Sequence, residues 1–520
     1  MAAQRPASMQ EVARLKRIVL VSNRVVSLSA AAQAGGVSVA LADILKSERG
    51  LWFGWNGDVA TSDEDLDKVS ITKAGADSAI VTVPITEDEH RAYYLGYSNS
   101  VLWPVFHNRL DLAQFEAGYY QSYLDVNRRF ARQLHSLLEP GDTIWVHDYH
   151  LIPLAAELRK LGVTSPIGFF LHIPSPPSQT FLAIPEYREL ARALSSYDLI
   201  GVQTQADVAN LIAFFEDAVQ GRILQDGRIS VCDRRLAIAS FPVGINLPDF
   251  QGATPARELA QATPGAKRII GIDRLDYTKG LPQKFRAYER FLEKHEAYRG
   301  KVVLSQIAPP TREDVEAYSE IRHTLEHLSG SINGRFGEMD WVPIHYIHRT
   351  TARKRLRDIY RSSNICLVTP LRDGMNLVAK EYIAAQDSAD PGVVILSRFT
   401  GAAEQLKETL IVNPYDIDEV ADAIKTGLEM EQDERVARHA KLFESISTYD
   451  TFTWRKSFLR ALEMCAKERH RASGSSSEAI RKALDKVHLA HSIAKPADDK
   501  MARAALPHAA LPEAAKSTAT

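Results

Sequence analysis

Short apolar runs alternate with longer amphipathic stretches along most of this chain, and no other feature restricts its fold as strongly. The runs occupy residues 17–21, 143–146, 167–172, 199–203, 267–272, 301–304, 364–368 and 393–396. An apolar run without polar alternation predicts a parallel strand that is covered on both faces. The intervening stretches, such as 151–161, carry leucines on one helical face. The pattern predicts an α/β fold of doubly wound parallel sheets.

The length of 520 residues exceeds what one hydrophobic core usually holds, so at least two domains are expected. A segment rich in Pro, Gly and Thr, 242–265, separates two series of runs and is interpreted as a hinge. We therefore expect two Rossmann-like domains at 1–245 and 246–450. Beyond them, 451–470 is expected to form a helix that crosses back to the N-terminal domain, and 471–520 a largely disordered tail with one short helix at 477–491.

Composition excludes several classes of protein. The net charge of −2 provides no overall field that would attract nucleic acid or anionic lipid. The three cysteines form no CxxC motif, and neither a signal-peptide core nor an apolar run long enough to span a membrane occurs. A cytoplasmic protein is expected. Because GxGxxG and GxxxxGK[ST] motifs are also missing, the usual dehydrogenase and P-loop classes are disfavoured.

Polar residues stand at the ends of five predicted strands. They are Asp148, His172, Gln203, Arg274 and Asp373. Ligands of open α/β sheets bind beyond the carboxyl ends of the strands. Each residue alone is more typical of a helix cap or a loop ion pair, but five together favour one shared cleft.

Two cations follow the strand at 267–272. Arg274 and Lys279 lie five residues apart, and a guanidinium with an ammonium on one turn suits a diphosphate. The alternative is a structural ion pair, because Asp276 lies between them.

A helix start is predicted in the segment PLRDGMNLVAKEY. Asn376 is expected to cap it, which leaves the N–H groups of Leu377 and Val378 free to bind phosphate. Glu381, one turn further on, either binds hydroxyl groups such as those of ribose or only compensates the helix dipole.

The N-terminal half offers further candidates. Arg24 follows the first strand, and the adjacent Gly35 and Gly36 either allow close approach of a ligand or form a plain turn. His147 and His150 lack a third ligand at suitable spacing, so no metal site is expected. Four aromatic residues look exposed and could stack on sugar rings, although core packing is the commoner role; they are Trp52, Trp55, Tyr94 and Trp103.

Eight motifs in order resemble the trehalose-6-phosphate synthase family from about residue 17 to about 465. They are SNR (22–24), AGG (34–36), GLWFGW (50–55), SNSVLWP (98–104), WVHDYHL (145–151), FFLHIP (169–174), DRLDYTKGLP (273–282) and TPLRDGMNLVAKEY (369–382). The resemblance implies a retaining GT-B glycosyltransferase whose two Rossmann-like domains face each other across a cleft. It implies transfer of glucose from UDP-glucose to glucose 6-phosphate, which gives trehalose 6-phosphate and UDP.

The resemblance also assigns residues to the two substrates. Acceptor binding falls to Arg24, Tyr94, Asp148, Arg312, Trp55 and Trp103 in and around the N-terminal domain. Donor binding falls to Gly35, Gly36, His172, Arg274, Lys279, Asp373, Gly374, Met375, Asn376, Leu377, Val378 and Glu381. The residues expected to take part in catalysis are Arg274, Lys279, His172 and Asp148. Ser175 and Thr351 depart from the family pattern, since both stand where an aromatic residue is common.

The resemblance favours front-face substitution, in which the acceptor hydroxyl attacks on the side from which the diphosphate leaves. The cations would stabilise the leaving group, so no cofactor is expected and a metal is not expected to be essential. Only small-molecule substrates are expected as partners, and homo-oligomer formation stays open. Two alternatives remain: a related transferase that uses glycerol 3-phosphate as acceptor, and a sugar-phosphate sensor without catalysis.

Overall fold

The computed structural model describes residues 17–25, 37–61, 66, 68–75, 77–252, 265–312 and 315–469. Three of the sequence predictions fall outside these residues: the glycine pair Gly35 and Gly36, the middle of the hinge, and the tail with its short helix. No helix of the described chain is long and apolar enough to cross a membrane.

Ten strands form the sheet of the N-terminal half, here called the N-lobe, in the order β3-β4-β2-β1-β5-β6-β7-β10-β9-β8. They are β1 (Ile18–Arg24), β2 (Gly50–Val59), β3 (Ser70–Lys73), β4 (Ser78–Ile85), β5 (Thr143–His147), β6 (Ile167–Phe170), β7 (Leu199–Val202), β8 (Arg222–Ile223), β9 (Ile229–Val231) and β10 (Arg234–Ser240). The strands from β4 to β10 in this order pair in parallel, while β3, β8 and β9 pair antiparallel at the two edges.

Six parallel strands form the sheet of the C-terminal half, here called the C-lobe, in the order β13-β12-β11-β14-β15-β16. They are β11 (Lys267–Ile272), β12 (Val302–Ile307), β13 (Ile344–Ile347), β14 (Ile365–Val368), β15 (Val393–Ser397) and β16 (Leu410–Val412). Their order reverses beside β11, which places the carboxyl ends of β11 and β14 at a switch point where ligands bind in such sheets.

Helices cover both sheets. The α-helices are α1 (Val37–Ser47), α2 (Glu87–Glu89), α3 (Trp103–Phe106), α4 (Tyr119–His135), α5 (Leu154–Lys160), α6 (Ser178–Phe181), α7 (Tyr187–Leu194), α8 (Gln205–Val219), α9 (Leu281–Lys294), α10 (Glu316–Phe336), α11 (Arg353–Arg361), α12 (Leu377–Ala385), α13 (Ile417–Glu429), α14 (Gln432–Thr448) and α15 (Thr451–Arg469). A wider π-helical segment, His90–Leu102, joins α2 to α3. The predicted α/β class with two parallel sheets is confirmed.

All eight apolar runs are strands, as predicted, but the other eight strands of the described chain were missed, among them β2. The stretch GLWFGW does not hold exposed aromatics: Trp52 and Trp55 lie in β2 with exposed fractions of 0% and 2%. The expectation of exposure is wrong because β2 is an inner strand of the sheet, and its first six residues are buried on both faces. A Cβ at Gly54 would collide with the backbone of Ser22 in β1.

The last helix returns to the N-lobe sheet. In α15, Phe458 stacks on Trp145 of β5, with ring centroids 4.4 Å apart and planes 10° from parallel. A Cβ at Gly168 or Gly201 would come within 2.8 Å of the Phe458 ring, so these glycines let the helix approach β6 and β7. The helix therefore ties the end of the C-lobe to the N-lobe sheet. The exact domain boundaries stay a prediction.

Candidate active site

One cavity of about 670 Å³ opens between the carboxyl ends of the two sheets, and we call it the site cavity. All five polar residues that were expected at strand ends line it: Asp148, His172, Gln203, Arg274 and Asp373. Nine further predicted site residues line it as well: Arg24, Tyr94, Trp103, Lys279, Arg312, Met375, Asn376, Leu377 and Val378, with Glu381 at its far end. The expected shared cleft is therefore present; the role of each residue stays a prediction.

Two of the predicted residues, Trp55 and Gly374, do not line the site cavity, and two more lie outside the described residues. Trp55 is buried behind its wall, where the guanidinium carbon of Arg24 lies 5.5 Å from the Trp55 ring centroid. A Cβ at Gly374 would collide with the carbonyl oxygen of His172, so Gly374 allows contact between the lobes rather than facing the cavity. Gly35 and Gly36 lie outside the described residues. Trp103 was expected to be exposed, but it is only 4% exposed because α3 packs into the N-lobe core.

The N-lobe half of the cavity is built from stacked rings. The π-helical segment presents Tyr94, whose ring lies 5.3 Å from that of Trp55 and 6.0 Å from that of His150. Arg24, at the end of β1, extends over this group. The result is a hydrophobic wall with a guanidinium at its edge, which can pack against a sugar ring and bind an anionic substituent.

Arg312 enters the same half from the C-lobe. It lies 4.0 Å above the Trp103 ring centroid, and its Nη1 and Nη2 donate to the phenol oxygens of Tyr318 (2.6 Å) and Tyr149 (3.1 Å). Burial would lower the pKa of Arg312, but these phenols and the Asp276 carboxylate raise it well above its usual value. The side chain is thus a fixed permanent cation at the boundary of the two lobes.

Asp148 and His172 stand side by side at the ends of β5 and β6. An Asp148 carboxylate oxygen accepts the backbone N–H of His172 at 3.3 Å, and Asp148 has a φ of 76°. Burial raises the pKa of Asp148 to about 6. Near neutral pH the group is mainly a carboxylate, which can accept hydrogen bonds from sugar hydroxyl groups.

A second histidine supports His172. His147 Nδ1 lies 3.1 Å from His172 Nε2, so one ring donates a proton to the other. Burial lowers the pKa of His172 to about 3 and that of His147 well below its usual value, so both rings are neutral. Nδ1 of His172 is buried and has no partner within the described chain, which leaves it free for a substrate hydroxyl. His147 is therefore placed to orient His172.

The C-lobe half contains the two predicted cations. Lys279 Nζ bonds the carboxylate of Asp373 at 2.7 Å, and this cation lowers the pKa of Asp373 although burial opposes it. Arg274 lies 5.5 Å from the Trp103 ring centroid and has no ion-pair partner among the described residues. Burial would raise the pKa of Asp276, but Arg274 and Arg312 hold it below its usual value. The ion pair of Lys279 is therefore with Asp373 and not with the expected Asp276, and diphosphate binding by the two cations stays a prediction.

The start of α12 has the predicted form. Asn376 caps the helix by accepting the N–H of Ala379 at 3.1 Å. The N–H groups of Leu377 and Val378 have no acceptor within the described residues, and both residues line the site cavity. Such a helix start binds phosphate.

Glu381 faces the cavity one turn beyond that helix start, where Tyr360 donates its hydroxyl to the Glu381 carboxylate at 3.0 Å. Burial raises the pKa of Glu381 to about 7. A buried, hydrogen-bonded carboxyl in the wall of a cavity is better placed to bind hydroxyl groups than to compensate a helix dipole.

The residues that sequence reasoning missed support the predicted ones. His147, Tyr149 and Tyr360 hold His172, Arg312 and Glu381, respectively. Of these only His147 and Tyr149 lay within a recognised motif, HDYH, and the sequence does not indicate their partners. Among the described residues, no group of three or more His, Cys, Asp or Glu side chains could hold a metal ion.

A family model described as "Glycosyltransferase family 20" matches residues 8–464. The chain belongs to glycosyltransferase family 20. A relative from Klebsiella pneumoniae subsp. pneumoniae, named trehalose-6-phosphate synthase, is 44% identical over 459 residues, which cover 86% of this chain and 95% of the relative.

Two solved structures extend the family relationship. An α,α-trehalose-phosphate synthase (UDP-forming) from Burkholderia xenovorans, in complex with glucose 6-phosphate, matches with a TM-score of 0.82 and 44% identity over 86% of this chain and 100% of that one. A trehalose-6-phosphate enzyme from E. coli, bound with UDP-2-fluoro glucose, matches with a TM-score of 0.82 and 42% identity over 86% and 99%. The family 20 fold of this chain is therefore GT-B.

Proposed function

We propose that this family 20 protein transfers glucose from UDP-glucose to glucose 6-phosphate with retention of configuration, giving trehalose 6-phosphate and UDP. The observation that carries the proposal is the single site cavity, where Arg274 and the start of α12 face Arg24 and Arg312. Relatives of the same fold bind glucose 6-phosphate and a UDP-glucose analogue. One cavity lined by several cationic side chains and a helix start suits a sugar nucleotide together with a sugar phosphate.

In the proposed donor half, the diphosphate lies against Arg274, Lys279 and the free N–H groups at the start of α12. Glu381 accepts hydrogen bonds from the ribose hydroxyls, and His172 Nδ1 contacts a hydroxyl of the glucosyl group. The acceptor phosphate binds Arg24 and Arg312. Its sugar ring packs against Tyr94, while Asp148 accepts from its hydroxyls.

We propose front-face substitution at the anomeric carbon. The bond from this carbon to the diphosphate oxygen breaks, and the acceptor hydroxyl oxygen forms its bond on the same face. The hydroxyl proton passes to the departing phosphate oxygen, so charge and atoms balance. Catalysis is then mainly electrostatic, and one donor aimed at the developing charge is worth about 3 kcal/mol in known enzymes.

Positive charge for the leaving group comes from the protein itself, so we also propose that Mg²⁺ is not essential. Turnover by the purified protein should persist in excess EDTA. Complete loss of turnover, with recovery on adding Mg²⁺, would refute this part of the proposal.

A product assay tests the main proposal. The purified protein is incubated with glucose 6-phosphate and, in separate reactions, with UDP-, GDP- and ADP-glucose, and the disaccharide phosphate is identified by NMR. Formation of trehalose 6-phosphate with UDP-glucose as the preferred donor is expected. Turnover with glycerol 3-phosphate instead of glucose 6-phosphate would favour the alternative acceptor, and no turnover with any donor would favour a sensor.

A reducing compartment such as the cytoplasm is the proposed location. The three cysteines of the protein are all free: Cys232 is exposed, while Cys366 and Cys465 are buried. Because none of the three forms a disulfide, the fold does not depend on an oxidising compartment.

A further inference from the structure

A second, smaller cavity of about 150 Å³ lies between the lobes, next to the site cavity, and we call it the small cavity. The N-lobe contributes residues 107–109, and the C-lobe contributes 277–278, 371–372 and two aromatic rings. Its volume holds several water molecules, which corresponds to a small polyatomic ion and not to a sugar nucleotide.

Two guanidinium groups face this cavity, one from each lobe, and no carboxylate lines it. Arg372 donates Nη2 to the carbonyl oxygen of Ser175 at 3.2 Å, while its Nε is buried without a partner among the described residues. Burial lowers the pKa of Arg372, although Asp207 and Tyr415 oppose the shift. A buried, unpartnered N–H on a cation that makes no ion pair within the described chain favours an anion.

Arg109 supplies the second cation. Its Nε and Nη2 bond the exposed Asp111 at 2.8 and 2.7 Å, and its guanidinium carbon lies 5.5 Å from the Tyr277 ring centroid in the C-lobe. The Nη1 edge makes none of these bonds. Asn108 beside it adds an amide group to the cavity wall. An anion between the two arginines would therefore be bonded by both lobes.

The small cavity is directly connected to the reacting groups. Its C-lobe segments run straight into Lys279 and Asp373, which form the ion pair of the site cavity, and they are joined by the bond from Leu371 N–H to Thr278 O at 2.8 Å. His107 lines both cavities and stacks on Trp103, with ring centroids 4.2 Å apart. A ligand in the small cavity would hold the segment that carries Lys279.

We propose that the small cavity is a binding site for a compact dianion, either inorganic phosphate or a phosphate monoester, distinct from both substrate subsites. The bound dianion joins Arg109 of the N-lobe to Arg372 of the C-lobe. It thereby favours the arrangement of the lobes in which donor and acceptor are held together.

Equilibrium dialysis with radiolabelled ligands tests the site directly. In the first arm, labelled phosphate bound per chain is counted while UDP and glucose 6-phosphate fill the site cavity. In the second arm, labelled glucose 6-phosphate is counted in the presence of UDP. One phosphate bound per chain in the first arm identifies inorganic phosphate as the ligand. Two molecules of glucose 6-phosphate bound per chain in the second arm identify a phosphate monoester. If wild type gives neither of these two results, the proposal is overturned.

Two variants locate the ion. Asn108→Asp is nearly isosteric and tolerates the local φ of 59°, but it places a negative charge in the cavity. Arg109→Gln removes one cation. Each variant should lower the affinity for the ion in the small cavity by about tenfold or more. Arg290→Gln is the control: it breaks an exposed bond between Arg290 of α9 and Asp418 of α13, and binding of the extra ion should stay unchanged. Equal binding to wild type, N108D and R109Q would place the ion elsewhere and overturn the proposal.

A kinetic measurement tests the coupling to turnover, and this part rests on the proposed function. If the dialysis identifies inorganic phosphate, phosphate at saturating glucose 6-phosphate should lower the KM for UDP-glucose about fivefold in wild type and leave N108D unaffected. If it identifies the monoester, the same fall of about fivefold should appear as glucose 6-phosphate fills the small cavity. An unchanged wild-type KM would overturn the coupling. The dialysis arms need no turnover, so their outcome is separate from a failure of the proposed reaction.

Discussion

The two halves of the site cavity use different means to hold charge. In the N-lobe half, Arg312 is fixed by the phenols of Tyr149 and Tyr318 and by the face of Trp103. In the C-lobe half, Lys279 is compensated by Asp373, while Arg274 has no such partner within the described chain. The acceptor half is thus an aromatic frame that carries two cations, Arg24 and Arg312, and Nη1 of Arg312 also lies 3.8 Å from the Asp276 carboxylate. The donor half combines one compensated cation, one available cation and a helix start.

This difference predicts where catalysis is most sensitive. Arg312 is held mainly by neutral phenols, with the Asp276 carboxylate 3.8 Å from its Nη1, and we expect its contact with a ground-state phosphate mainly to set binding. An available cation beside the leaving group is used most strongly when charge develops in the transition state. The following predictions test this contrast.

The largest effect is expected for Arg274→Ala. Loss of the available cation should reduce kcat by about a thousandfold, because the leaving diphosphate loses a donor that acts in the transition state. Steady-state rates of UDP release measure this. Arg290→Ala, an exposed arginine on α9, is the control. A variant that loses only affinity for UDP-glucose, with an unchanged kcat, would contradict the contrast.

The next effect is expected for Arg312→Gln. It should raise the KM for glucose 6-phosphate about a hundredfold with a smaller change in kcat, since this cation binds the phosphate equally in ground and transition states. Tyr318→Phe keeps the ring but removes one bond to Arg312, so a change of about fivefold is expected. An equal loss in UDP affinity would show that Arg312 does not belong to the acceptor half.

A smaller effect is expected for His147→Phe, which removes the bond that orients His172. About tenfold in kcat/KM for UDP-glucose should be lost, the worth of one hydrogen bond of about 1.4 kcal/mol. His147→Asn, whose amide nitrogen can take a position close to that of Nδ1, should recover part of the loss. If both variants fold with the wild-type Tm and neither changes the rate, His147 has no positioning role.

The smallest effects concern pH and differ between the halves. Burial raises the pKa of Asp148 to about 6 and that of Glu381 to about 7. Each accepts hydrogen bonds as a carboxylate, so affinity should fall as pH drops through its pKa. Affinity for glucose 6-phosphate should fall near pH 6, and affinity for UDP near pH 7. Calorimetric titrations of the two ligands across pH measure this.

The matched variants are Asp148→Asn and Glu381→Gln. The first should flatten the pH dependence of glucose 6-phosphate affinity and the second that of UDP affinity, and each should leave the other dependence unchanged. The stability effect has the opposite sign. Because folding raises both pKa values, the stability that each group contributes is present below its unfolded pKa and is lost as pH rises through its folded pKa. In both variants, Tm should therefore fall less with rising pH than it does in wild type.

The sequence predicted the strands well where apolar residues run without interruption. Among the strands it missed is β2, where glycines are mixed with tryptophans in GLWFGW and where only the folded structure shows that both faces are buried. The strand-end rule predicted the gathering of Asp148 and Arg274, since the carboxyl ends of parallel strands share one edge. The His147 to His172 bond depends on the pairing of β5 with β6, which residue patterns do not specify.

Contacts between the lobes were the least predictable. Arg312 reaches a tyrosine 163 positions earlier in the chain, and Arg372 reaches a carbonyl oxygen 197 positions earlier. Only the relative placement of the two sheets brings these groups together. The small cavity arises from the same placement, and for this reason no motif indicated it.

A crystal structure with UDP and glucose 6-phosphate bound tests the central claim most directly. The account predicts the diphosphate against Arg274 and the N–H groups of Leu377 and Val378, with the sugar phosphate against Arg24 and Arg312 in the same cavity. A diphosphate bound away from Arg274 and the start of α12, or a sugar phosphate that contacts neither Arg24 nor Arg312, would contradict it.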